Sequence, residues 1–491
     1  MSASQAMQSL RLIRPIAAFM VVLGLHSGLH VAVAQSAEKR PNIVVILADD
    51  LGWTDLGTQG SKYYETPSID ALASQSRKFQ RHYHSQNCQP TRAALWSGQY
   101  APRTGIYTVG TLERGQAEDR KMNTPENVTQ LPLDRETIGD VLKSAGYRTG
   151  YFGKWHLGQQ GDHHPGRRGW DEAITSMGRH FEFVTQPPTE HAKDAYLADW
   201  LTDRACEFLE KPSGKPFFLV LAHFAVHSPL EAKAGKIEHF EGKPTSGGHS
   251  NPTYAAMIGS LDDSVGRVLK KLDEMQAAED TIVIFTSDNG GVGGYGADAR
   301  NFTDNAPLRN GKGTHYEGGL RVPFFVRWPG VVKPGTTSQE PTAHVDLFPT
   351  LVEIAGANRP KQTLDGLSLV PLWKGDETAR LDREFLYFHL PGYLEGRGMR
   401  WRTTPVSTLI GRQWKLLEYL EDGRKELYRI DSDISEARDV AGTHPQVVKE
   451  LADTLDQWRK RTGAAMPTLK MQPKAARNDP IETRSTANTG A

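Results

Sequence analysis

Three runs of this chain are apolar almost residue by residue: Pro41–Ala48, Pro216–Ala222 and Thr281–Ser287. Each is rich in Val, Ile, Leu or Phe and too short for a full helix. A strand with one face in water alternates apolar and polar residues, whereas a strand covered on both faces does not. The runs therefore predict central strands of a sheet held between two layers. Helical periodicity fills the stretches between them, over Pro67–Arg77, Thr137–Ala145, Asp194–Glu210 and Asn251–Met275. Strands alternating with helices predict an α/β fold, a large mixed, mostly parallel sheet flanked by helices. The 47 Gly and 29 Pro among 491 residues add long shaped loops around that scaffold.

Beyond about Leu369 the pattern changes. Phe385–His389, Ser407–Ile410, Gln413–Tyr419 and Lys425–Tyr428 read as strands, with Asp422-Gly423 as a hairpin turn before the last. A helical pattern over His444–Arg461 follows. The expected organisation is a main domain over residues 40–369 and a smaller C-terminal antiparallel sheet plus helix over 370–463. The polar stretch 464–491 has no aromatic residue and is expected to be disordered.

Residues 1–34 read as an export signal. Arg11 and Arg14 precede an apolar stretch from Ile16 to Val33, and Ala32-Val33-Ala34 offers small residues for cleavage near Ala34. His26 and His30 interrupt the stretch and make it a poor permanent span, although an uncleaved anchor is the alternative. Export implies a periplasmic or secreted protein, and with only Cys88 and Cys206 it is not a disulfide scaffold. A single Cys88–Cys206 bridge remains open. Lys plus Arg and Asp plus Glu number 58 each, a balance that gives no support to a nucleic-acid partner.

The strand ends carry the chemistry. Asp49-Asp50 follows the first run, Asp288-Asn289 the third, and His223 and His227 the second. In such sheets ligands bind beyond the carboxyl ends of the strands. Two adjacent carboxylates repel by about 4 kcal/mol at 4 Å and an effective dielectric near 20. Brought together, Asp49, Asp50, Asp288 and Asn289 would want a cation, and all-oxygen donors suit Ca²⁺ or Mg²⁺. Each pair alone would equally serve as a helix cap or turn.

Cys88-Gln89-Pro90-Thr91-Arg92-Ala93-Ala94-Leu95-Trp96-Ser97-Gly98 also suits a buried cysteine at a helix start. The run nevertheless resembles the sulfatase signature Cys-x-Pro-Ser-Arg-x-x-Leu-x-Thr-Gly. Thr91 and Ser97 exchange one hydroxyl residue for another. Gly153-Lys154-Trp155-His156-Leu157-Gly158, Ala225-Val226-His227-Ser228-Pro229 and Arg309-Asn310-Gly311-Lys312-Gly313 resemble further segments of the same family. The likeness runs from Pro41 to about Pro329, and less specifically through Lys415-Leu416 and Glu426-Leu427-Tyr428.

The resemblance implies an alkaline-phosphatase-like fold and a sulfuric ester hydrolase. Cys88 would be oxidised to formylglycine by a formylglycine-generating enzyme. One hydroxyl of the hydrated aldehyde would attack sulfur, with Asp288 assisting, and the other would expel sulfate. The metal set would be Asp49, Asp50, Asp288, Asn289 and residue 88, and the resemblance favours one Ca²⁺. Lys154 and Lys312 would bind sulfate, His156 would act as base, and His227 or Lys312 would protonate the leaving alcohol. A Lys held among glycines beside other cations is expected to have a lowered pKa, which would suit the donor role. Arg92, one turn beyond Cys88, would hold its hydroxyl or the sulfate, and His389 would border the substrate. The loops Gln159–Thr189 and Pro391–Thr404, with Arg, Trp and His, suit a sulfated sugar. A phosphate or phosphonate monoester hydrolase of the same superfamily and a non-catalytic sulfated-glycan binder are the competing readings.

Overall fold

The computed structural model describes residues 40–470, apart from 297–300 and 397–398. The expected export signal, and residues 471–491 of the expected tail, lie outside them. Eight strands form the main sheet: β1 (Asn42–Ala48), β2 (Arg77–Phe79), β3 (Arg148–Gly153), β4 (Glu172–Thr175), β5 (Phe217–Ala222), β6 (Thr281–Ser287), β7 (Phe324–Arg327) and β8 (Thr337–Ser338). Their spatial order is β8-β2-β7-β6-β1-β5-β3-β4. Only β7 runs against its neighbours in this sheet. The three apolar runs of the sequence are β6, β1 and β5, side by side at its centre.

The alternation of side chains explains their composition. Along β1, Val44, Ile46 and Ala48 enter one core, and Ile43, Val45 and Leu47 enter the other. The first core is covered by α1 (Pro67–Ser74), α4 (Leu197–Glu210) and α5 (Pro252–Glu274). The second is covered by α2 (Cys88–Ser97), α3 (Ile138–Ser144) and α6 (Leu347–Ala355). A polar residue on either face of β1 would be buried without a partner. Two of the expected helix starts, Thr137 and Asn251, are caps rather than first turns. The Thr137 hydroxyl accepts from the Asp140 N–H at 3.2 Å while the Asp140 carboxylate accepts from the Thr137 N–H at 2.9 Å. Asn251 accepts likewise from the Tyr254 N–H at 3.0 Å. Each satisfies backbone donors that the first helical turn leaves orphaned.

Four antiparallel strands follow in the order β9 (Leu386–Leu390), β10 (Val406–Ile410), β11 (Trp414–Tyr419) and β12 (Lys425–Arg429). Helix α7 (Pro445–Thr462) covers them with Leu451, Leu455 and Trp458. The C-terminal sheet and helix expected over 370–463 do not stand apart from the main sheet. The described residues from Arg40 to Lys470 belong to one compact unit, and Leu386, Leu409 and Leu416 share a core with Tyr83, Ala94, Leu320 and Val345. The expected disorder does not begin at 464 either. Thr468–Leu469 pairs with Met122–Asn123, and the Ala465 N–H donates to the Tyr107 hydroxyl at 3.2 Å. Backbone pairing holds the segment there although its Met466 and Leu469 side chains stay exposed. No helix among the described residues is long and apolar enough to cross a membrane.

Candidate active site

Register brings the strand ends together. Ala48 lies opposite Ser287, and Ala222 opposite both Leu47 and Gly153. The residues that follow β1, β3, β5 and β6 therefore emerge along one edge. The Asp49 N–H donates to the Ala225 carbonyl at 2.9 Å and the Asp288 N–H to the Ala48 carbonyl at 3.0 Å, extending the ladder past the strands. Gly153 has φ +116°, and a Cβ there would lie 1.9 Å from the Ala222 carbonyl oxygen, so glycine is required. Asp50 and His156 hold φ values of +62° and +63°. Non-glycine residues seldom adopt this left-handed region, and such strain gathers at functional sites.

Three buried carboxylates face three cations. Lys154 Nζ donates to Asp49 Oδ2 at 2.5 Å. Lys312 Nζ lies 2.7 Å from Asp50 Oδ1. Arg92 donates to Asp288 Oδ2 through Nε at 3.0 Å and Nη2 at 2.8 Å. Burial and the neighbouring Asp49 push the Asp288 pKa up to about 6. Burial acts the same way on Asp50, but Lys312, His227 and Lys154 outweigh it and hold that carboxyl well below its ordinary range.

The residues present fit a hard cation. Asp49 Oδ1 and Asn289 Oδ1 are buried and have no hydrogen-bond partner. Asn289 spends its Nδ2 on Asp50 Oδ1 at 2.8 Å and on the Gly290 carbonyl at 2.9 Å, which leaves its oxygen for another donor or a metal. Ligand atoms of Asp49, Cys88 and Asp288 lie within 4.8 Å of one another. Among the donors of the expected set, all but the Cys88 sulfur are oxygens.

Helix α2 delivers residue 88. It begins at Cys88, is buried over its whole length, and ends at Gly98 with φ +69°, a left-handed helix end. Cys88 and Cys206 are both free thiols, so the disulfide alternative falls. Burial pushes the Cys88 thiol pKa up. Its Sγ lies 3.4 Å from His156 Nδ1. Burial, with Lys154, Arg92 and Lys312 nearby, pushes the His156 pKa well down, so its ring is neutral. Cys88 opens on a pocket of about 350 Å³ lined also by Lys154, His156, His227 and Lys312. His227 Nδ1 contacts the Ser228 carbonyl at 2.6 Å, which fixes the proton there in the neutral ring and leaves Nε2 3.6 Å from Asp50.

Three expectations require correction. His389 is not on the pocket wall. Both its ring nitrogens are occupied, Nδ1 with the Ser407 hydroxyl at 2.8 Å and Nε2 with the Ala465 carbonyl at 2.9 Å. Arg92 lies behind the carboxylates, fully buried, and its hydrogen bonds go to Asp288 and the Lys154 carbonyl; it positions the cluster. The Lys312 pKa is raised rather than lowered, because the attraction of Asp50 outweighs burial. Lys154 and His156 both reach the pocket, through a backbone that turns at His156. Sequence reasoning missed Arg114, which lines the pocket from a loop with no motif. Phe224 also lines it, next to the noted His223, as do Glu395 and Arg402 of the Pro391–Thr404 loop.

Fold and site together define an enzyme of the α/β class that takes an anionic group at the carboxyl ends of its central strands. The chain belongs to the sulfatase family. The Sulfatase family model matches residues 41–357. A second model, described as N-sulphoglucosamine sulphohydrolase, C-terminal, matches residues 311–461. A sulfatase of Formosa agariphila is 33% identical over 483 residues, covering 84% of this chain and 86% of the relative. The N-acetylgalactosamine-6-sulfatase of Homo sapiens is 32% identical over 382 residues, covering 72% and 69%. The solved structure of Ps i-CgsB in complex with k-i-k-neocarrahexaose superposes with a TM-score of 0.72 at 29% identity, covering 86% of this chain and 93% of that one. The protein is accordingly a sulfatase that hydrolyses sulfate esters.

Proposed function

We propose that this chain is an exported carbohydrate sulfatase. It would release sulfate from a sugar sulfate ester through a formylglycine formed from Cys88 by a formylglycine-generating enzyme. The observation that carries the reading is that Cys88, grouped with the strand-end carboxylates Asp49 and Asp288, opens on a pocket lined by Lys154, His156, His227 and Lys312. The glycan relatives support the sugar: one is named for N-acetylgalactosamine 6-sulfate chemistry and another was solved with a carrageenan-type oligosaccharide named in its description.

Asp49, Asp50, Asp288 and Asn289 would hold a Ca²⁺, with residue 88 beside it. That ion would supply positive charge next to the nucleophile and the sulfate oxygens, and the hydrated aldehyde would supply the nucleophilic hydroxyl. The chain's own residues do the rest. Lys154 and Lys312 put two fixed cations on the pocket wall, already oriented by Asp49 and Asp50, so little reorganisation accompanies charge shifts on sulfate. His156 sits within reach of the atom that residue 88 carries and is placed to take a proton there. His227 turns Nε2 toward the pocket. Burial and Lys312 depress its pKa to about 3, but an anionic ester seated beside Nε2 acts in the opposite sense and favours the imidazolium. That proton would go to the alcohol oxygen as the S–O ester bond breaks. Arg92 keeps Asp288 in register from behind.

The test uses protein produced together with the modifying enzyme. Peptide mass spectrometry across residue 88 should find formylglycine, and sulfated mono- and oligosaccharides should yield free sulfate. A higher kcat/KM for an aryl phosphate than for the aryl sulfate would favour the phosphatase reading instead. A fully modified protein that binds sulfated glycans and releases no sulfate would make it a binder.

A further inference from the structure

Two arginines on the pocket wall have no carboxylate paired with them among the described residues. Lys154 and Lys312 are paired with Asp49 and Asp50. Arg114 and Arg402 line the same pocket, yet neither forms an ion pair among the described residues. Arg114 donates from Nη2 to the Val109 carbonyl at 2.6 Å. Arg402 donates from Nη1 to the Lys312 carbonyl at 3.4 Å. Their Nε atoms have no hydrogen-bond partner. Glu395, exposed on the same wall, pairs with neither of them. Main-chain carbonyls orient a guanidinium but do not cancel its charge, so the wall keeps an excess of positive charge beyond the sulfate end.

These arginines are held in place rather than waving in solvent. Arg120 Nη1 donates to the carbonyls of Glu113, Arg114 and Gly115 at 3.1, 3.2 and 3.0 Å, which buttresses the loop carrying Arg114. Arg402 stacks on the Tyr295 ring with its guanidinium carbon 4.7 Å from the centroid. It belongs to a two-stranded ribbon, Leu394–Gly396 with Met399–Thr403. The two segments are zipped together: the Tyr393 N–H donates to the Leu112 carbonyl at 3.0 Å, and a Cβ on Gly115 would lie 2.5 Å from the Trp401 ring. Through Lys312, Arg402 is also tied to the loop that faces Asp50.

We infer that Arg114 and Arg402 form a second anion subsite, and that the preferred substrate carries another negative group besides the scissile sulfate. Guanidinium groups recognise carboxylate and sulfate oxygens through paired N–H donors, so the second group is either the carboxylate of a uronic acid or a further sulfate ester. The inference rests on the carbohydrate sulfatase reading for its sugar but not for its test.

The test measures binding, not turnover. Cys88→Ala protein is titrated with three oligosaccharides that share one sulfate: one with no other charge, one with an added uronate, one with an added sulfate. At least one dianionic ligand should bind about tenfold more tightly than the singly charged one. Arg114→Gln and Arg402→Gln should each reduce that ratio several-fold, and Arg402→Lys should restore part of it, because charge without the planar fork is retained. Whichever dianion shows the preference identifies the second group. Equal affinity for all three ligands, or a preference unchanged in both Gln variants, overturns the inference. Failure of the sulfatase reading would appear separately, as absent sulfate release from wild-type protein.

Discussion

Two buried ionic clusters of the described residues differ in access rather than in ingredients. At the strand ends, Asp49, Asp50 and Asp288 face Arg92, Lys154 and Lys312. Between the main sheet and the C-terminal sheet, Lys415 lies 2.9 Å from Glu317 and 2.8 Å from Glu436, with all three side chains inaccessible. In that second cluster Glu317 also accepts from the Tyr83 hydroxyl at 3.1 Å, and Glu436 accepts from the Glu317 N–H at 2.7 Å. It joins β11 to the short helical turn Glu317–Leu320. The first cluster leaves carboxylate and amide oxygens unpartnered and opens through Cys88 onto a pocket. Like charges and like burial thus yield a structural clamp in one place and a reactive site in the other, according to whether the cluster stands beside a residue that opens on a pocket.

Four measurements sharpen that contrast. The largest effect is expected at the open site. Cys88→Ser offers one hydroxyl where the proposed chemistry needs two, so kcat should fall by more than about a thousandfold while urea unfolding changes little. A variant that keeps wild-type turnover would remove residue 88 from the mechanism. The closed cluster should respond in the opposite currency. Lys415→Met strands two glutamates and should cost about 3–5 kcal/mol of stability in denaturant titrations; an unchanged midpoint would mean the clamp is dispensable.

Divalent ions come next. Stripping them with a chelator should lower Tm, and Ca²⁺ at about a hundred times its Kd should restore about 2.7 kcal/mol. Asp49→Asn and Asn289→Leu should weaken this Ca²⁺ response, and Lys415→Met should not. A Ca²⁺-independent melting curve would place no resident ion at the strand ends. The smallest effect is a pH dependence of the clamp. Burial raises the Glu436 pKa from 4.5 to about 7, despite the attraction of Lys415. A carboxyl raised on folding contributes stability that is full below pH 4.5 and lost as pH climbs through about 7. Unfolding free energy should therefore decline across that window in the wild type, and Glu436→Gln should flatten the decline.

Much of the scaffold was legible because burial leaves a compositional trace. β1, β5 and β6 were readable since strands covered on both faces cannot hide polar residues. The C-terminal strands and α7 were readable from alternation, a hairpin turn and helical period. β3 was not recognised as a strand, because its Arg-Thr-Gly-Tyr-Phe-Gly run carries two glycines that serve packing: Gly153 against the Ala222 carbonyl and Gly150 against the Phe208 ring. β4 and β7 are four residues each, too short for a period to emerge. Segment 464–470 misled because its order comes from backbone pairing.

The site was legible in its types and not in its connections. Asp49, Asp50, Asp288, Asn289 and Cys88 stood out from strand ends and a motif. That Arg92 turns to Asp288 could not be read, nor that Asp50 fastens Lys312 as a cation, since those partners lie 196 and 262 residues away. His389 illustrates the converse, a plausible residue whose two nitrogens are consumed by Ser407 and Ala465. Arg114 left no trace at all, because a lone arginine in a loop has no periodicity or spacing to betray it.

The order of residues by itself determined the layered α/β scaffold, which ends of which strands carry oxygen donors, and the cysteine that begins α2. These follow from local rules: apolar runs must be covered on both sides, and side chains just past a buried strand emerge at its edge. Only the tertiary structure decided which charges cancel, which oxygens stay unpaired, and which arginines face the pocket. Electrostatic pairing depends on distances of a few ångströms between residues far apart in the chain, and folding alone sets those distances.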